Sequence, residues 1–348
     1  MSATPPPAAA AAPAPHRRRP RYGGKNPRRF EDKYKEHAGD AETLAKVVAA
    51  GKTPAGTHRP IMVAEILAVL EPAPGHVAAD CTLGYGGHAR EILARISPGG
   101  TLLGLDADPI ELPKTEARLR ALDPGETTFT AHRTNFAGLP QVLASRQLSG
   151  ADLILADLGV SSMQLDDPTR GFSVKADGPL DMRMNPQRGQ PASALLHRLQ
   201  PDALRDMLAA FADEPHAATL GPALAGRAFT STRQVGEAVR AALPRVGRDE
   251  VELSVRRVFQ ALRIAVNDEF SALETFLRNL PLCLNPGGRV AILTFHSGED
   301  RRVKKSFEMN HAAGVYADIA REVVRASPAE QFSNPRSASA KLRWAKRA

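Results

Sequence analysis

Five short apolar runs punctuate this chain: His76 to Thr82, Thr101 to Asp106, Thr127 to His132, Ala151 to Leu158 and Arg289 to Phe295. Each is bounded by Gly, Pro or Asp, as buried strands are. Such runs fit strands covered on both sides. Amphipathic segments separate most of them, starting with Val63, Ile66, Leu67 and Leu70 at helical spacing. Strand-helix alternation leaves few solutions, and the pattern predicts an α/β fold with a mostly parallel, doubly wound, Rossmann-like sheet. Ligands in such folds sit at the carboxyl ends of the strands.

The rhythm breaks once. About 130 residues separate the fourth run from the fifth, too many for one crossover, and most read as helix or polar loop. An inserted helical domain over 168–248 accounts for them, between a first core part (51–167) and a second (249–348) that ends in a basic C-terminal tail. The helix bearing Val255, Val258, Phe259, Leu262 and Val266 is expected to bring the chain back to the sheet. Residues 1–50 form a basic leader rich in Pro, Ala and Arg, with too little apolar surface in its first 30 or so residues to offset chain entropy, so disorder is expected there.

A chain of 348 residues can bury a substantial core, which excludes a small stapled fold. The two cysteines, Cys81 and Cys283, lie in apolar runs without CxxC spacing or a His cluster, so they read as reduced core thiols and no metal site is expected. No apolar stretch reaches the roughly 20 residues of a membrane helix, and no signal-peptide h-region opens the chain, which points to the cytoplasm. The formal charge of +8 favours a polyanionic partner. Basic residues cluster at the ends, from Arg17 to Arg29 and from Lys341 to Arg347, either as solvated tails or as contacts to RNA phosphates.

Three motifs stand just past predicted strands. Gly84-Tyr85-Gly86-Gly87-His88-Ala89 precedes a helical pattern and is followed by Asp106. Glycines there let backbone approach a ligand, and a carboxylate at the next strand end can accept from ribose hydroxyls, which suits a nicotinamide cofactor and S-adenosylmethionine (SAM) equally. A tight strand-to-helix turn explains the same glycines. Asp157-Leu158-Gly159-Val160-Ser161-Ser162, with Gln164 beyond, closes a central strand. A carboxylate at that point can hold an amine by its N–H and aim the lone pair, or Asp157 and the serines can cap the next helix. Phe295-His296-Ser297-Gly298-Glu299-Asp300 is followed by Arg301, Arg302, Lys304 and Lys305. Phe295 could stack on a base, with His296 or Ser297 positioning it and the cations meeting phosphate. No G-x-S-x-G elbow accompanies Ser297, which excludes a serine hydrolase of that type.

Together these segments resemble the RsmH/MraW family of small-subunit ribosomal RNA cytosine-N4 methyltransferases. The resemblance rests on His58-Arg59-Pro60-Ile61-Met62, on Asp80 to His88, on Leu155 to Asp166 with Arg170-Gly171-Phe172-Ser173 and Asp177 to Met184, and on Phe259 to Ile264 with Val266-Asn267. Phe295-His296-Ser297 with Glu299-Asp300-Arg301, then Asn334-Pro335-Arg336 with Lys341-Leu342-Arg343, complete it, so it covers residues 57 to 345 or so.

The resemblance implies a class I SAM-dependent methyltransferase fold interrupted by an RNA-contacting helical domain, and methylation of a cytidine N4 in 16S rRNA of the small ribosomal subunit. It places Gly86, Gly87 and His88 along the methionine end of SAM, Asp106 on the ribose, Phe136 against adenine, and Asp157 and Gln164 near the sulfonium and target. Asp157, Ser161, Phe295 and His296 are the implied catalytic group, and no metal is implied. Three positions depart from the family pattern: Gly298 stands for Leu, Pro215 and His216 stand near an expected Arg, and Ala338 stands for the second Arg of N-P-R-x-R. These departures bear on RNA contact more than on SAM. They leave room for another RNA target or for a non-catalytic assembly factor, while an oxidoreductase reading rests on Gly84, Gly86, Ala89 and Asp106 alone.

Overall fold

Continuous apolar strands need helices on both faces, and that requirement organises the chain. In a computed structural model, which describes residues 60–122 and 127–348, the order begins α1 (Val63–Leu70), β1 (Val77–Asp80), α2 (Gly87–Ile96), β2 (Thr101–Asp106), α3 (Leu112–Leu122) and β3 (Thr128–Arg133). A 3-10 turn at Phe136–Gly138 leads into α4 (Leu139–Ser145) and β4 (Ala151–Asp157). Next come α5 (Ser162–Asp166) and the helices α6 (Ala192–Arg198), α7 (Pro201–Ala212), α8 (Ala217–Leu224), α9 (Thr232–Ala242), α10 (Arg248–Asn267) and α11 (Glu269–Cys283). The chain closes with β5 (Leu284–Thr294), α12 (Ser297–Ala312), β6 (Tyr316–Ile319), α13 (Pro328–Ser333) and β7 (Lys341–Arg347).

The seven strands form one sheet in the order β3-β2-β1-β4-β5-β7-β6. The first five are parallel, and β7 runs antiparallel to both β5 and β6. This is the Rossmann-like α/β arrangement. The strand order reverses between β1 and β4, the switch point where such sheets open a crevice. On one face Leu139, Val142 and Leu143 of α4, Leu273, Phe276 and Leu280 of α11, and Val303 and Phe307 of α12 pack on the sheet. On the other, Ile66 and Leu70 of α1, Ile92 and Ile96 of α2, and Leu119 of α3 do so. Cys81 and Cys283 are free and buried, and burial pushes both thiols up, Cys283 to about 11.

Two features differ from the sequence expectation. Lys341–Arg347, read as a basic tail, is an interior strand of the sheet. Leu342 and Ala345 are buried, and Arg343 is accommodated because its Nε donates to Asp300 Oδ1 at 2.6 Å. The long helix α10, expected to return the chain to the sheet, instead gives Val251, Val255, Val258, Phe259 and Leu262 to a separate core shared with Leu196, Leu204, Leu208, Leu220, Val235 and Val239 of α6 to α9. Its apolar stripe faces those helices, and the following helix, α11, meets the sheet. The leader and His58-Arg59 lie outside the described residues.

Ionic and aromatic contacts join the helical body to the sheet. Asp213, just past α7, accepts Ser297 Oγ at 2.5 Å and the Arg301 guanidinium at 2.9 Å. Phe270 lies 5.3 Å from Phe211 and 5.8 Å from the His296 ring, centroid to centroid, with the Arg302 guanidinium 3.6 Å above it. A Cβ at Gly298 would come 2.7 Å from Phe270 Cζ. The departure from Leu at 298 therefore goes with a Phe270 ring occupying that space.

Candidate active site

The carboxyl ends of β1, β2 and β4, the Phe295 turn after β5 and the start of α11 surround a cavity of about 1080 Å³. Gly84, Gly87, His88, Asp106, Phe136, Asp157, Ser161, Gln164 and Phe295 all line it, so most of the sequence-selected residues meet in one place. His296 and Gly86 do not.

The glycine-rich turn is held from below. Gly84 N–H donates to Asp106 Oδ2 at 2.7 Å, Asp108 N–H donates to Asp106 Oδ1 at 2.8 Å, and Thr115 Oγ1 donates to the Gly84 carbonyl at 2.6 Å. Burial raises Asp106 to about 6, against the pull of those two N–H groups. A carboxylate has about four lone pairs, so two remain for a ligand. Gly86 serves packing: with φ at 82°, it caps α2, and a Cβ there would meet Thr115 Cγ2 at 2.9 Å and Leu119 Cδ1 at 3.3 Å. The side on which a side chain would stand is turned to α3, and Gly86 itself does not border the cavity. Gly87 lines the cavity beside Pro60. Phe136 packs on Phe276, with ring centroids 5.5 Å apart, and keeps part of its surface at the cavity wall.

Asp157 closes β4. Its backbone N–H donates to Thr82 Oγ1 at 2.6 Å, which fixes the strand end, while no hydrogen-bond donor among the described residues meets its carboxylate. The His88 ring stands beside it, with Nδ1 3.7 Å from Asp157 Oδ2. His88 Nε2 is 2.9 Å from the Ile61 carbonyl, an acceptor only, so Nε2 carries a proton and a neutral ring turns its Nδ1 lone pair toward Asp157. Burial lowers His88 and favours that neutral ring. Burial, then the negative charge of Glu299, pushes Asp157 up to about 7.

The other residues chosen from sequence have structural duties. Ser161 caps α5: its Oγ accepts the Gln164 N–H at 3.2 Å, and Gln164 Oε1 accepts the Ser161 N–H at 2.9 Å. Gln164 Nε2 then donates to Asp108 Oδ2 at 2.8 Å, so both ends of its amide are occupied although it borders the cavity. Phe295 presents its ring to the cavity while its N–H donates to Glu299 Oε2 at 2.9 Å. His296 is turned away. Its ring packs on Phe270, its Nδ1 accepts weakly from the Glu299 N–H at 3.4 Å, and its Nε2 sits 3.1 Å from Glu299 Oε1 without the alignment of a hydrogen bond. A direct role for His296 in the cavity is thereby corrected.

Sequence reading missed Asp108, the hub of the site. It is 1% exposed and accepts from Ile110 N–H, Gln164 Nε2 and Arg170 Nη1, the last at 2.9 Å. Arg170 Nη2 also donates to the carbonyls of Arg183 and Met184. The long polar run from Asp157 to Met184 is thus tied to the end of β2. The signal was the Asp106-Ala107-Asp108 spacing. Arg263 and Glu299, which stand inside the quoted motifs without a role of their own, and Glu269, not singled out, also border the cavity.

Residues 55–348 match the MraW methylase family. Ribosomal RNA small subunit methyltransferase H 2 of Alkaliphilus metalliredigens (strain QYMF) is 47% identical over 339 residues, 94% of this chain and 97% of that protein. Ribosomal RNA small subunit methyltransferase H 1 of Lachnoclostridium phytofermentans (strain ATCC 700394 / DSM 18823 / ISDg) is 45% identical over 341 residues, 95% and 93% of the two chains. Ribosomal RNA small subunit methyltransferase H of Halorhodospira halophila (strain DSM 244 / SL1) is 41% identical over 323 residues, 86% and 97%.

Proposed function

The chain belongs to the MraW methylase family, and from that premise we propose that it moves the methyl group of SAM onto the exocyclic N4 of a cytidine in the 16S rRNA of the small ribosomal subunit. The observation that carries the proposal is Asp157, an undonated carboxylate at the carboxyl end of a central strand, inside a cavity at the top of the size range for ligand pockets. Pockets for one drug-sized molecule span about 300–1,000 Å³, and this one is about 1080 Å³.

The residues present fit the cofactor. Asp106 retains acceptor capacity for the ribose diol, Phe136 offers a ring face to adenine, and Gly87 and His88 at the start of α2 border the methionine end, where helix N–H groups favour a carboxylate. Negative charge from Asp157 and Glu299 suits a cation on the sulfur. Bound there, SAM supplies a methyl group already activated by its sulfonium.

The chain's remaining work is alignment and proton handling. Ionised Asp157 accepts an N–H of the target amine and directs the lone pair, delocalised in free cytosine, along the line of attack. As the nitrogen acquires positive charge, Asp157 takes the proton it sheds, and a carboxyl poised near 7 suits that task. His88 Nδ1, an acceptor in the neutral ring 3.7 Å away, makes no hydrogen bond to the ionised carboxylate and so leaves its lone pairs to the amine. The base must be unpaired or flipped to reach this depth.

Among the described residues no helix is long and apolar enough to cross a membrane, and a cytosolic setting suits a ribosomal substrate. The proposal is tested by incubating purified protein and labelled SAM with small subunits from cells lacking the endogenous enzyme, alongside naked 16S rRNA. Label in assembled or nearly assembled subunits supports it. SAM binding with no transfer to either RNA form would sink the catalytic reading and leave the assembly-factor one.

A further inference from the structure

We propose that Arg263 reads the acceptor edge of the target cytosine, its N3 and O2, and so holds the base with N4 toward Asp157; this rests on the function proposed above. Arg263 belongs to α10, and its Nε and Nη2 donate to Glu269 Oε1 and Oε2, each at 2.9 Å. Both side chains are largely buried, at 16% and 12% exposure, so the guanidinium plane is locked. The fork leaves Nη1 without an acceptor among the described residues, at the cavity wall.

The space that Nη1 faces is defined by an absent side chain. A Cβ on Gly159, two residues past Asp157, would lie 3.9 Å from Arg263 Nη1 and 3.9 Å from Phe295 Cδ2. Gly159 has φ at +99°, a conformation that excludes most side chains, so the gap stays open. A ligand atom at that point would be in contact with both the Phe295 ring edge and Arg263 Nη1. Glu299, 3% exposed and accepting the Phe295 N–H, fixes that ring's position.

Guanidinium N–H groups are donors only. A partly buried, locked donor without a protein partner is costly unless a ligand supplies an acceptor. Cytosine presents its amine and two acceptors, N3 and O2, along one edge. Uracil places an N–H at position 3 against the prong, and adenine has no oxygen at position 2. Arg263 therefore sorts bases by their acceptors while Asp157 engages the amine.

The test couples base and side chain. Small subunits are prepared with 3-deazacytidine, which lacks the N3 acceptor, or 2-thiocytidine, with a weakened O2 acceptor, at the target position. Single-turnover methylation is measured for the wild type, for Arg263→Lys, which keeps a cation beside Glu269, and for Arg263→Gln with Glu269→Gln, which strands no buried charge. On normal cytidine each variant should lose about tenfold to a hundredfold in rate, with SAM affinity held within about threefold. At least one analogue should slow the wild type about tenfold or more but slow the variants by less than about twofold. Equal analogue penalties in wild type and variants, with N4-methylcytidine still formed by the wild type, would overturn the role of Arg263 alone. No N4-methylcytidine from the wild type would overturn the proposed function and this inference together.

Discussion

Asp106→Ala separates cofactor binding from every other property of the site. Its carboxylate accepts two backbone N–H groups, at 2.7 and 2.8 Å, and still has lone pairs for the ribose. One charge-assisted hydrogen bond to a ribose hydroxyl is worth about 1.5–3 kcal/mol, so its loss should weaken SAM binding about tenfold to a hundredfold. The Gly84 N–H released by the substitution is at the cavity wall, where water can satisfy it, so loosening of the turn adds no more than about 1 kcal/mol. Calorimetric titration measures the effect, first near pH 8, well above the Asp106 value of about 6. The folded-state pKa is raised, so the carboxylate is ionised above about 6 and takes a proton as pH falls through that value. Wild-type affinity should drop accordingly toward about pH 5, and the variant's should show a flatter response. Unchanged affinity in a folded Asp106→Ala protein, or the same pH dependence in both proteins, would refute the ribose assignment.

Asp157→Asn should cut turnover by about a hundredfold or more with SAM affinity little changed. The wild-type rate should rise with pH through about 7, as Asp157 ionises, and that limb should vanish in the variant; a loss confined to RNA affinity would count against the assignment. Gly178→Ala forces a Cβ to within 1.8 Å of the Pro168 carbonyl oxygen, a backbone clash expected to cost about 2 kcal/mol or more and to lower Tm by about 3 °C or more. Gly247→Ala, with nothing within 4 Å, is the control and should leave Tm unchanged or slightly raised. Asp300→Ala strands the buried Arg343 and should cost about 3–5 kcal/mol in calorimetric unfolding. Arg343 and Lys341 hold Asp300 below the usual carboxylate range, so its stabilisation is present above the unfolded-state value near 3.9 and fades as pH falls through the folded one.

The parallel half of the sheet was legible because fully buried strands are plain apolar runs. Thr101–Asp106 was read to the residue, and β1, β3 and β4 came within a residue or two at their ends. The antiparallel edge was not. In β7 basic residues alternate with Leu342 and Ala345, and its buried Arg343 is tolerated only through Asp300, a partner 43 residues away. The segment Asn285 to Gly288 reads as a turn, yet Leu284 pairs with Ala151 across an irregularity that lets β5 begin there. The position of Asp106 and Asp157 at the cavity was legible for the same reason as the strands: both stand at the ends of apolar runs. Asp108, Arg263, Glu269 and Glu299 were not, because their roles come from contacts with other elements. Gly86 and His296 stand behind the cavity wall, since a motif shows which residues stand together and not which side each turns inward.

The central claim is that the methyl group goes to a cytidine N4, and the chemical identity of the product tests it most directly. Small subunits from cells lacking the endogenous enzyme would be reacted with SAM carrying a deuterated methyl group, and the 16S rRNA digested to nucleosides and resolved by mass spectrometry against N4-, N3- and C5-methylcytidine standards. The account predicts deuterated N4-methylcytidine, arising from a single position in the RNA and absent with Asp157→Asn. Deuterium in another methylated nucleoside, or equal N4-methylcytidine from the Asp157→Asn protein, would contradict it.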